Sequence, residues 1–201
     1  MIKRKYGVLE GLDFAGKSRL AKELSEKLGW RLVNEPFTET PHAAEIKRMN
    51  NANYLPKHYE MMMIIASRIE CFDMVVSQHR YTGLISDRNV VSSMVYQSTE
   101  RFPPSAVYSL NEKALRVAGH DIAPDFLFFL DITHETFLER LANCDRAVDQ
   151  KDLWLKDPTN WKIMRDKYLH AIGILEVMSP GTHIEIITPE TSVDYLIEKM
   201  K

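Results

Sequence analysis

The sequence predicts an α/β fold in which a five-stranded parallel sheet is flanked by helices. Short apolar runs alternate with longer helical stretches, which is the order that strands and crossover helices take in such folds. The run DFLFFLDI at 125–132 is almost continuously apolar, as expected of a parallel strand covered on both faces. Because we find no repeat, linker or low-complexity segment, residues 1–201 are expected to form a single domain.

Glycine and proline mark the first elements. An apolar run predicts a strand at 6–10, and the helix at 18–28 ends before Gly29, a common residue just past a helix C-terminus. A second strand is expected at 31–35, where Pro36 stops it.

A long helix is expected at 57–79, after a shorter one at 41–50 that begins with proline. The long segment has no helix breaker and is apolar around most of its circumference. It should therefore be buried on more than one side, either in the core or against a partner subunit. One apolar stripe comprises Met62, Ile65, Ile69, Phe72 and Val76, and the stripe beside it comprises Met61, Ile64, Cys71 and Val75.

The rest of the chain follows the same alternation. A third strand is expected at 83–87, and the apolar run described above supplies the fourth. A polar loop is expected at 144–157, and a fifth strand at 183–188 precedes the closing helix. The helices predicted in this half span 90–98, 105–119, 134–143, 158–178 and 192–200.

Charge and composition argue against several classes of protein. The formal net charge of −2 and the pI of about 6.4 give no bulk attraction to nucleic acid or to an anionic membrane. The longest apolar run, at 61–66, is too short to span a bilayer, and the N-terminus lacks the apolar region of a signal peptide. The two cysteines and seven histidines show no metal-type spacing, so we expect free thiols, no structural zinc and a cytoplasmic protein.

Residues 11–18, GLDFAGKS, match the pattern G-x-x-x-x-G-K-[ST] between a predicted strand and a predicted helix. The glycines let backbone N–H groups point at phosphate oxygens, and the helix N-terminus adds positive charge. Lys17 would reach the β- and γ-phosphates, and the Ser18 hydroxyl would bind Mg²⁺. The pattern predicts a nucleotide-binding protein with the three-layer P-loop NTPase fold, which hosts several reactions. The residues expected at the nucleotide are Gly11, Leu12, Asp13, Phe14, Ala15, Gly16, Lys17, Ser18 and Arg19.

Polar residues at the ends of two strands indicate the rest of the site. Asp87 and Arg88 end the third strand, on the side where a parallel sheet binds its ligand. Asp87 could hold the Mg²⁺ shell and Arg88 an acceptor phosphate, and a surface ion pair is the alternative interpretation. Glu35 and Pro36 end the second strand on the same side.

Two arginines each allow two interpretations. Arg68 lies in the apolar helix, where a buried guanidinium needs either a salt-bridge partner or a ligand. Arg146 lies in the polar loop and follows Arg140. Such a loop suits a lid at about 143–157 that closes over transferring phosphate, but it could also be a solvated connection.

In order, these stretches resemble the thymidylate kinase family of nucleoside monophosphate kinases over residues 6–176. YGVLEGLDFAGKS resembles the family's opening strand and phosphate loop, and NEP stands where the family often has Arg-Glu-Pro. IIASR, ending at Arg68, is similar to its Phe-x-x-x-Arg helix, and DRNVVSSMVYQ to its Asp-Arg-x-x-x-Ser-x-x-x-Tyr-Gln signature. PDFLFFLDITHETFLERL resembles the following strand and helix, and DRAVD the lid.

The resemblance implies transfer of the γ-phosphoryl group of ATP to a deoxynucleoside 5′-monophosphate, typically dTMP, by a homodimer that uses Mg²⁺. Ser18 would hold the ion, with Asp87 acting through water. Because the loop has Phe14 rather than an arginine, the catalytic arginine is expected to be Arg146 from the lid, with Arg140 supporting it at the nucleotide. The catalytic residues implied are Asp13, Lys17, Arg88 and Arg146.

The same resemblance implies an acceptor site. Arg88 would grip the acceptor phosphate, and Asp13 would lie near the metal and the sugar 3′-hydroxyl. Arg68 and Ser93 would contact the base, and Tyr96 would crowd the 2′ position. The residues expected around the acceptor are Glu35, Pro36, Ile64, Arg68, Arg88, Ser93, Tyr96 and Gln97.

Departures from the family pattern leave alternatives open. Ile64 stands where the family has a stacking phenylalanine, and Asn34 replaces the arginine of Arg-Glu-Pro, so an altered or broader base preference is one alternative. A deoxynucleoside kinase, which phosphorylates a 5′-hydroxyl, is another, although its usual Glu-Arg-Ser is Asp-Arg-Asn at 87–89. A nucleotide-binding module without catalysis is the third.

Overall fold

The computed structural model describes residues 5–51, 55–77, 82–145 and 147–201. Its strands are β1 Lys5–Glu10, β2 Arg31–Asn34, β3 Gly83–Asp87, β4 Phe126–Leu130 and β5 His183–Ile187. Its helices in these ranges are α1 Lys17–Leu28, α2 Pro41–Asn51, α3 Lys57–Ser77, α4 Val90–Tyr96, α5 Pro104–Val117, α6 His134–Ala142, α7 Gln150–Trp154, α8 Pro158–Met178 and α9 Val193–Met200. The strands form one parallel sheet in the order β2-β3-β1-β4-β5, which confirms the predicted fold class.

The central strand β1 pairs with β3 on one side and with β4 on the other. Every residue of β3 is buried, as expected of a parallel strand covered on both faces. Because the chain crosses from β1 to neighbours on opposite sides, a crevice opens beyond the carboxyl ends of the central strands. The register pairs Leu9 with Asp87, so the glycine-rich loop after β1 and the polar residues after β3 meet at this edge.

The segment expected to be a polar loop at 144–157 contains the short helix α7, so that expectation was wrong. The Asp149 carboxylate accepts a hydrogen bond from the Asp152 N–H at 2.8 Å, and the Asp152 carboxylate accepts one from the Asp149 N–H at 3.1 Å. This reciprocal capping begins a helix without the apolar periodicity on which the sequence prediction depended.

Helix α3 is buried along one broad face and exposed along another. Its buried apolar residues are Met61, Ile64, Ile65, Cys71, Phe72 and Val75. Met62, which the sequence placed in a buried stripe, is 56% exposed, and Tyr59 is 60% exposed. The expected burial on more than one side is therefore incomplete. The side chain of Val76 and residues 78–79 of the predicted helix lie outside the described part of the structure.

The remaining bounds differ from the predictions by a few residues. Strand β4 is shorter than the run at 125–132, although the N–H groups of Asp125 and Asp131 still donate to the carbonyls of Tyr6 and Ile187 in the neighbouring strands. Among the described helices, none is long and apolar enough to cross a membrane. Within the same ranges, no three histidine, cysteine or acidic side chains are grouped so that they could hold a metal ion.

The two cysteines lie in different surroundings. Burial, with a smaller contribution from the Glu35 charge, raises the pKa of the Cys71 thiol well above its usual value, whereas Cys144 is half-buried. Since the thiolate is the reactive form, a maleimide at neutral pH is expected to label Cys144 and to spare Cys71 in the folded protein. Peptide mass spectrometry checks this, with urea-unfolded protein as the control. Equal labelling of both thiols in the native state would contradict the burial of Cys71.

Candidate active site

The glycine-rich loop between β1 and α1 requires glycine at both of its ends. Gly11 and Gly16 have φ angles of 146° and 101°, which L side chains rarely adopt. A Cβ at Gly11 would also lie 2.6 Å from the Leu130 carbonyl oxygen. The spacing of the two glycines in the sequence is thus explained by the backbone of the loop.

A cavity of about 590 Å³ lies beyond the carboxyl ends of β1 and β3. Its wall contains nine residues, all of them predicted site residues: Asp13, Phe14, Gly16, Lys17, Ser18, Arg19, Asp87, Arg88 and Arg140. The structure therefore brings the predicted donor loop together with the residues that follow β3. The other three loop residues, Gly11, Leu12 and Ala15, do not line the cavity but contribute backbone carbonyls to its cations.

Lys17 is the buried cation of the loop. Its side chain lines the cavity, and its ammonium group donates a hydrogen bond to the Leu12 carbonyl at 2.7 Å. Burial, reinforced by the positive charge of Arg88, lowers the pKa of Lys17 from 10.5 to about 7. The ammonium is therefore poorly compensated, and a bound polyphosphate would supply the missing negative charge.

Ser18 and Asp87 form an oxygen-rich pair at the edge of the cavity. The Ser18 hydroxyl donates a hydrogen bond to Asp87 Oδ2 at 2.5 Å. The other carboxylate oxygen, Oδ1, is buried, and no hydrogen-bond donor in the described ranges reaches it. Hydroxyl and carboxylate oxygens are ligands that Mg²⁺ accepts, so this pair fits the predicted metal site.

Arg88 lies at the centre of the polar contacts. Its φ of 74° is unusual for a residue other than glycine, and it aims the guanidinium back toward the loop. Nη1 donates to the Gly11 carbonyl at 3.3 Å, to Ser92 Oγ at 3.1 Å and to the Tyr168 hydroxyl at 2.8 Å. Nη2 forms an ion pair with Asp13.

The carboxylate of Glu10 binds the residues that follow Arg88 in the chain. It is fully buried at the end of β1, and its carboxylate accepts hydrogen bonds from the Asn89 and Ser92 N–H groups at 2.8 and 3.0 Å. The Ser92 hydroxyl adds a third at 2.7 Å. Burial nevertheless raises the pKa of Glu10. Glu10 thus fixes the backbone that follows Arg88, at the start of α4.

Asp13 is held between two cations. Its carboxylate pairs with Arg88 through Oδ1 and with Lys151 through Oδ2, the latter at 2.6 Å. Burial alone would raise the pKa of Asp13, but the charges of Arg88, Lys151 and Lys17 outweigh it and hold the pKa well below its usual range. Asp13 is therefore ionised throughout the neutral range.

Arg68 is buried in a second network beside the cavity. Its Nε donates to the two Glu35 carboxylate oxygens at 2.9 and 3.0 Å, and its Nη2 donates to Ser93 Oγ at 3.1 Å. Nη1 donates to the Asn111 side-chain oxygen. A cis peptide bond joins Glu35 to Pro36. Of the two interpretations of Arg68, the salt bridge is present; contact with a base stays a prediction.

The other predicted acceptor residues lie near these networks. The ring of Tyr96 packs edge-on against Tyr168, with centroids 6.1 Å apart, and the two hydroxyl groups are 3.3 Å apart. Gln97 donates to Glu60 of α3 at 3.2 Å, and Ile64 is buried. Their roles at the acceptor stay predictions.

Of the two arginines that the sequence linked to the lid, Arg140 and Arg146, the structure describes Arg140. Arg140 donates from Nη1 to the carbonyls of Phe14 and Ala15, each at 2.8 Å, so it steadies the loop as well as lining the cavity. Arg146 lies outside the described residues, and its assignment stays a prediction.

Several residues in these networks were missed by sequence reasoning. Glu10 precedes the first glycine of the loop, and a charge inside an apolar strand run could have indicated its role. Tyr168, Asn111 and Lys151 gave no such signal, because each reaches the site from a distant element. Asn111 is fully buried and donates to the Val107 carbonyl at 2.8 Å, which turns its side-chain oxygen toward Arg68.

A parallel sheet of this order, with a glycine-rich loop joining its central strand to α1, defines a P-loop nucleotide-binding protein. The comparison with known families is more specific. The chain belongs to the thymidylate kinase family, because the family profile described as Thymidylate kinase matches residues 9–176. It is therefore a phosphotransferase, and family membership implies ATP as the nucleotide.

Individual relatives agree with this assignment. A thymidylate kinase of Buchnera aphidicola subsp. Acyrthosiphon pisum is 32% identical over 153 residues, which cover 70% of this chain and 70% of that protein. A probable thymidylate kinase of Methanocaldococcus jannaschii is 25% identical over 194 residues, covering 96% and 92%. The crystal structure of thymidylate kinase from Ehrlichia chaffeensis matches with a TM-score of 0.65 and 22% identity over 98% of this chain and 97% of that one, which supports the fold.

Proposed function

We propose that the protein transfers the γ-phosphoryl group of ATP to the 5′-phosphate of a deoxynucleoside monophosphate, with dTMP as the expected acceptor. One observation carries this proposal: Lys17 of the donor loop and the Arg88–Asp13 pair line the same cavity. Transfer between two phosphates needs a cation for each of them, held so that the two ligands meet in line.

On the donor side, the loop N–H groups and Lys17 bind and orient the triphosphate. Ser18 would hold Mg²⁺, with Asp87 acting through water, in keeping with an Asp87 oxygen that no donor among the described residues reaches. When bound, the ion offsets negative charge on the β- and γ-phosphates. The segment 143–157 is proposed to act as a lid that excludes water from the transferring group, with Arg146 as its catalytic arginine.

On the acceptor side, Arg88 binds the 5′-phosphate and Asp13 lies by the sugar 3′-hydroxyl. Arg68 and Ser93 form the polar edge of the base site, and Tyr96 restricts the 2′ position. The ion pair between Arg68 and Glu35 supports this assignment over a deoxynucleoside kinase. In such a kinase the glutamate would be a base facing a 5′-hydroxyl, whereas here the carboxylate is bound to a buried guanidinium.

The test is an acceptor panel with ATP, in which ADP release is followed for dTMP, dUMP, dCMP, dGMP, dAMP and the corresponding nucleosides. We expect turnover with monophosphates only, fastest with dTMP. Because Ile64 offers no aromatic face for stacking, measurable turnover with a second pyrimidine monophosphate is also expected. Turnover with nucleosides alone would overturn the proposal, and ATP binding without any transfer would favour a non-catalytic module.

We also propose that the protein is a homodimer that buries the exposed face of α3. Tyr59 and Met62 present large apolar side chains to solvent on this helix. A Met62→Glu variant should therefore sediment as a monomer at tens of micromolar, where the unsubstituted protein sediments as a dimer. Val177→Glu, at an exposed apolar position of α8, is the matched control and should stay dimeric. A monomeric unsubstituted protein would contradict the proposal. The cytoplasmic location stays a prediction.

A further inference from the structure

Lys151, to which the sequence assigned no role, reaches the site from the first turn of α7. Its Nζ donates to Asp13 Oδ2 at 2.6 Å and lies 4.2 Å from the centroid of the Tyr96 ring. These are the two residues that the proposed function places beside the acceptor sugar. We propose that Lys151 is an active-site cation that contacts the acceptor 5′-phosphate opposite Arg88, a role that rests on the proposed function.

The charges on Asp13 support an anionic ligand between the two cations. Arg88 pairs with one oxygen of this carboxylate and Lys151 with the other. A single cation neutralises a carboxylate, so the three side chains together carry a net positive charge. The side chains of Arg88 and Asp13 are 17% and 23% exposed and that of Lys151 is 36% exposed, so this charge is partly withdrawn from water. Such a charge is costly unless a further anion compensates it, and a phosphate monoester carries up to two negative charges.

Lys151 and Arg88 both lie close to the Tyr96–Tyr168 pair. The Lys151 ammonium lies over this ring, where the electron-rich face attracts a cation. The Tyr96 hydroxyl lies 3.3 Å from that of Tyr168, which accepts a hydrogen bond from Arg88. Lys151 and Arg88 therefore approach one small volume from α7 and from the end of β3.

The backbone of Lys151 is fixed by other residues. Asp149 and Asp152 cap the start of α7 on either side of it, and both Asp152 and Leu155 are buried. The Lys151 side chain contributes nothing to this capping. A substitution at Lys151 should therefore leave α7 in place, and the effect of the lost charge can be measured by itself.

A purely structural role for the ion pair makes a different prediction. If Lys151 only fastened α7 to the phosphate loop, its loss would weaken binding of thymidine and dTMP alike or leave both unchanged. If Lys151 contacts the phosphate, only dTMP, which carries that group, should bind more weakly. Comparing the two ligands therefore separates the two roles.

The experiment measures the dissociation constants of dTMP and thymidine by calorimetric competition in the absence of ATP. For Lys151→Met we expect a roughly ten- to hundredfold weaker affinity for dTMP, the usual range for a lost charge-assisted contact, and an unchanged affinity for thymidine. Lys151→Arg should restore dTMP binding to within about threefold, because arginine also binds phosphate. Lys162→Met, at an exposed lysine of α8 outside the proposed lid, also removes a positive charge and should change neither constant.

An unchanged dTMP affinity, or an equal loss for both ligands, would overturn the role of Lys151 even in an active kinase. An unsubstituted protein that bound dTMP without forming dTDP would overturn the proposed kinase activity instead, and the phosphate contact would still be decided by the same binding constants. Failure to bind any deoxynucleoside monophosphate would overturn both.

Discussion

Replacing Lys17 by methionine is expected to lower kcat on the order of a thousandfold or more, because the ammonium stabilises charge on the transferring phosphoryl group. Methionine is unbranched and of similar length, so it can occupy the buried position without reorganising the loop. The measurement is steady-state kinetics with ATP and dTMP. Lys22→Met on the exposed face of α1 is the control and should keep full activity. A Lys17→Met variant with near-normal kcat would contradict the donor-site assignment.

Although Lys17→Met is expected to lower kcat, it is also expected to raise the free energy of unfolding. The pKa of Lys17 is about 7 in the folded protein and 10.5 ordinarily, so between these values the unfolded chain binds more protons than the folded one. The stability of the unsubstituted protein therefore carries a penalty that is complete below about pH 7 and fades as the pH rises toward 10. In urea unfolding, Lys17→Met should be more stable than the unsubstituted protein at pH 6, by a margin that narrows at pH 9. A margin that does not narrow would show that Lys17 is protonated when folded.

Arg88→Lys is expected to lower kcat/KM for dTMP about a hundredfold while leaving the KM for ATP within about twofold. Lysine keeps the charge but has no planar fork, so it cannot bind a phosphate and Asp13 at once as a guanidinium does. Arg116→Lys, at an exposed position of α5, is the matched control and should leave both parameters unchanged. Circular dichroism should show whether the Arg88 variant keeps its fold, since the arginine also contacts Tyr168.

An equal loss toward ATP and dTMP would contradict the assignment of Arg88 to the acceptor. A loss confined to kcat would instead make its contact one that forms chiefly in the transition state.

The features predictable from sequence were those encoded locally. The apolar strand, the glycines of the loop and the Lys17-Ser18 pair are adjacent in the chain, so pattern and position together predicted the donor loop. Asp87 and Arg88 were predictable because the ends of parallel strands meet at one edge of the sheet. For Arg68 the sequence showed only that a buried guanidinium needs a partner, and Glu35 supplies it across 33 residues.

The features missed were those that depend on long-range packing. Lys151 lies 138 residues from Asp13, and Tyr168 lies 80 residues from Arg88, so no periodicity could connect them. Helix α7 was missed for a local reason, because capping rather than an apolar stripe begins it. For Met62 the sequence left open whether the chain or a partner covers it, because an apolar side chain indicates a face without indicating what covers that face.

A single competition reaction distinguishes transfer of the phosphoryl group from ATP to a 5′-phosphate from transfer to a 5′-hydroxyl. The protein is incubated with ATP, Mg²⁺ and an equimolar mixture of dTMP and thymidine, and the nucleoside and the nucleotides are separated and quantified by ion-pair liquid chromatography. We expect a dTDP peak that grows as the dTMP peak falls, with the thymidine peak unchanged. The appearance of new dTMP from thymidine, or of ADP without any dTDP, would contradict transfer to the 5′-phosphate.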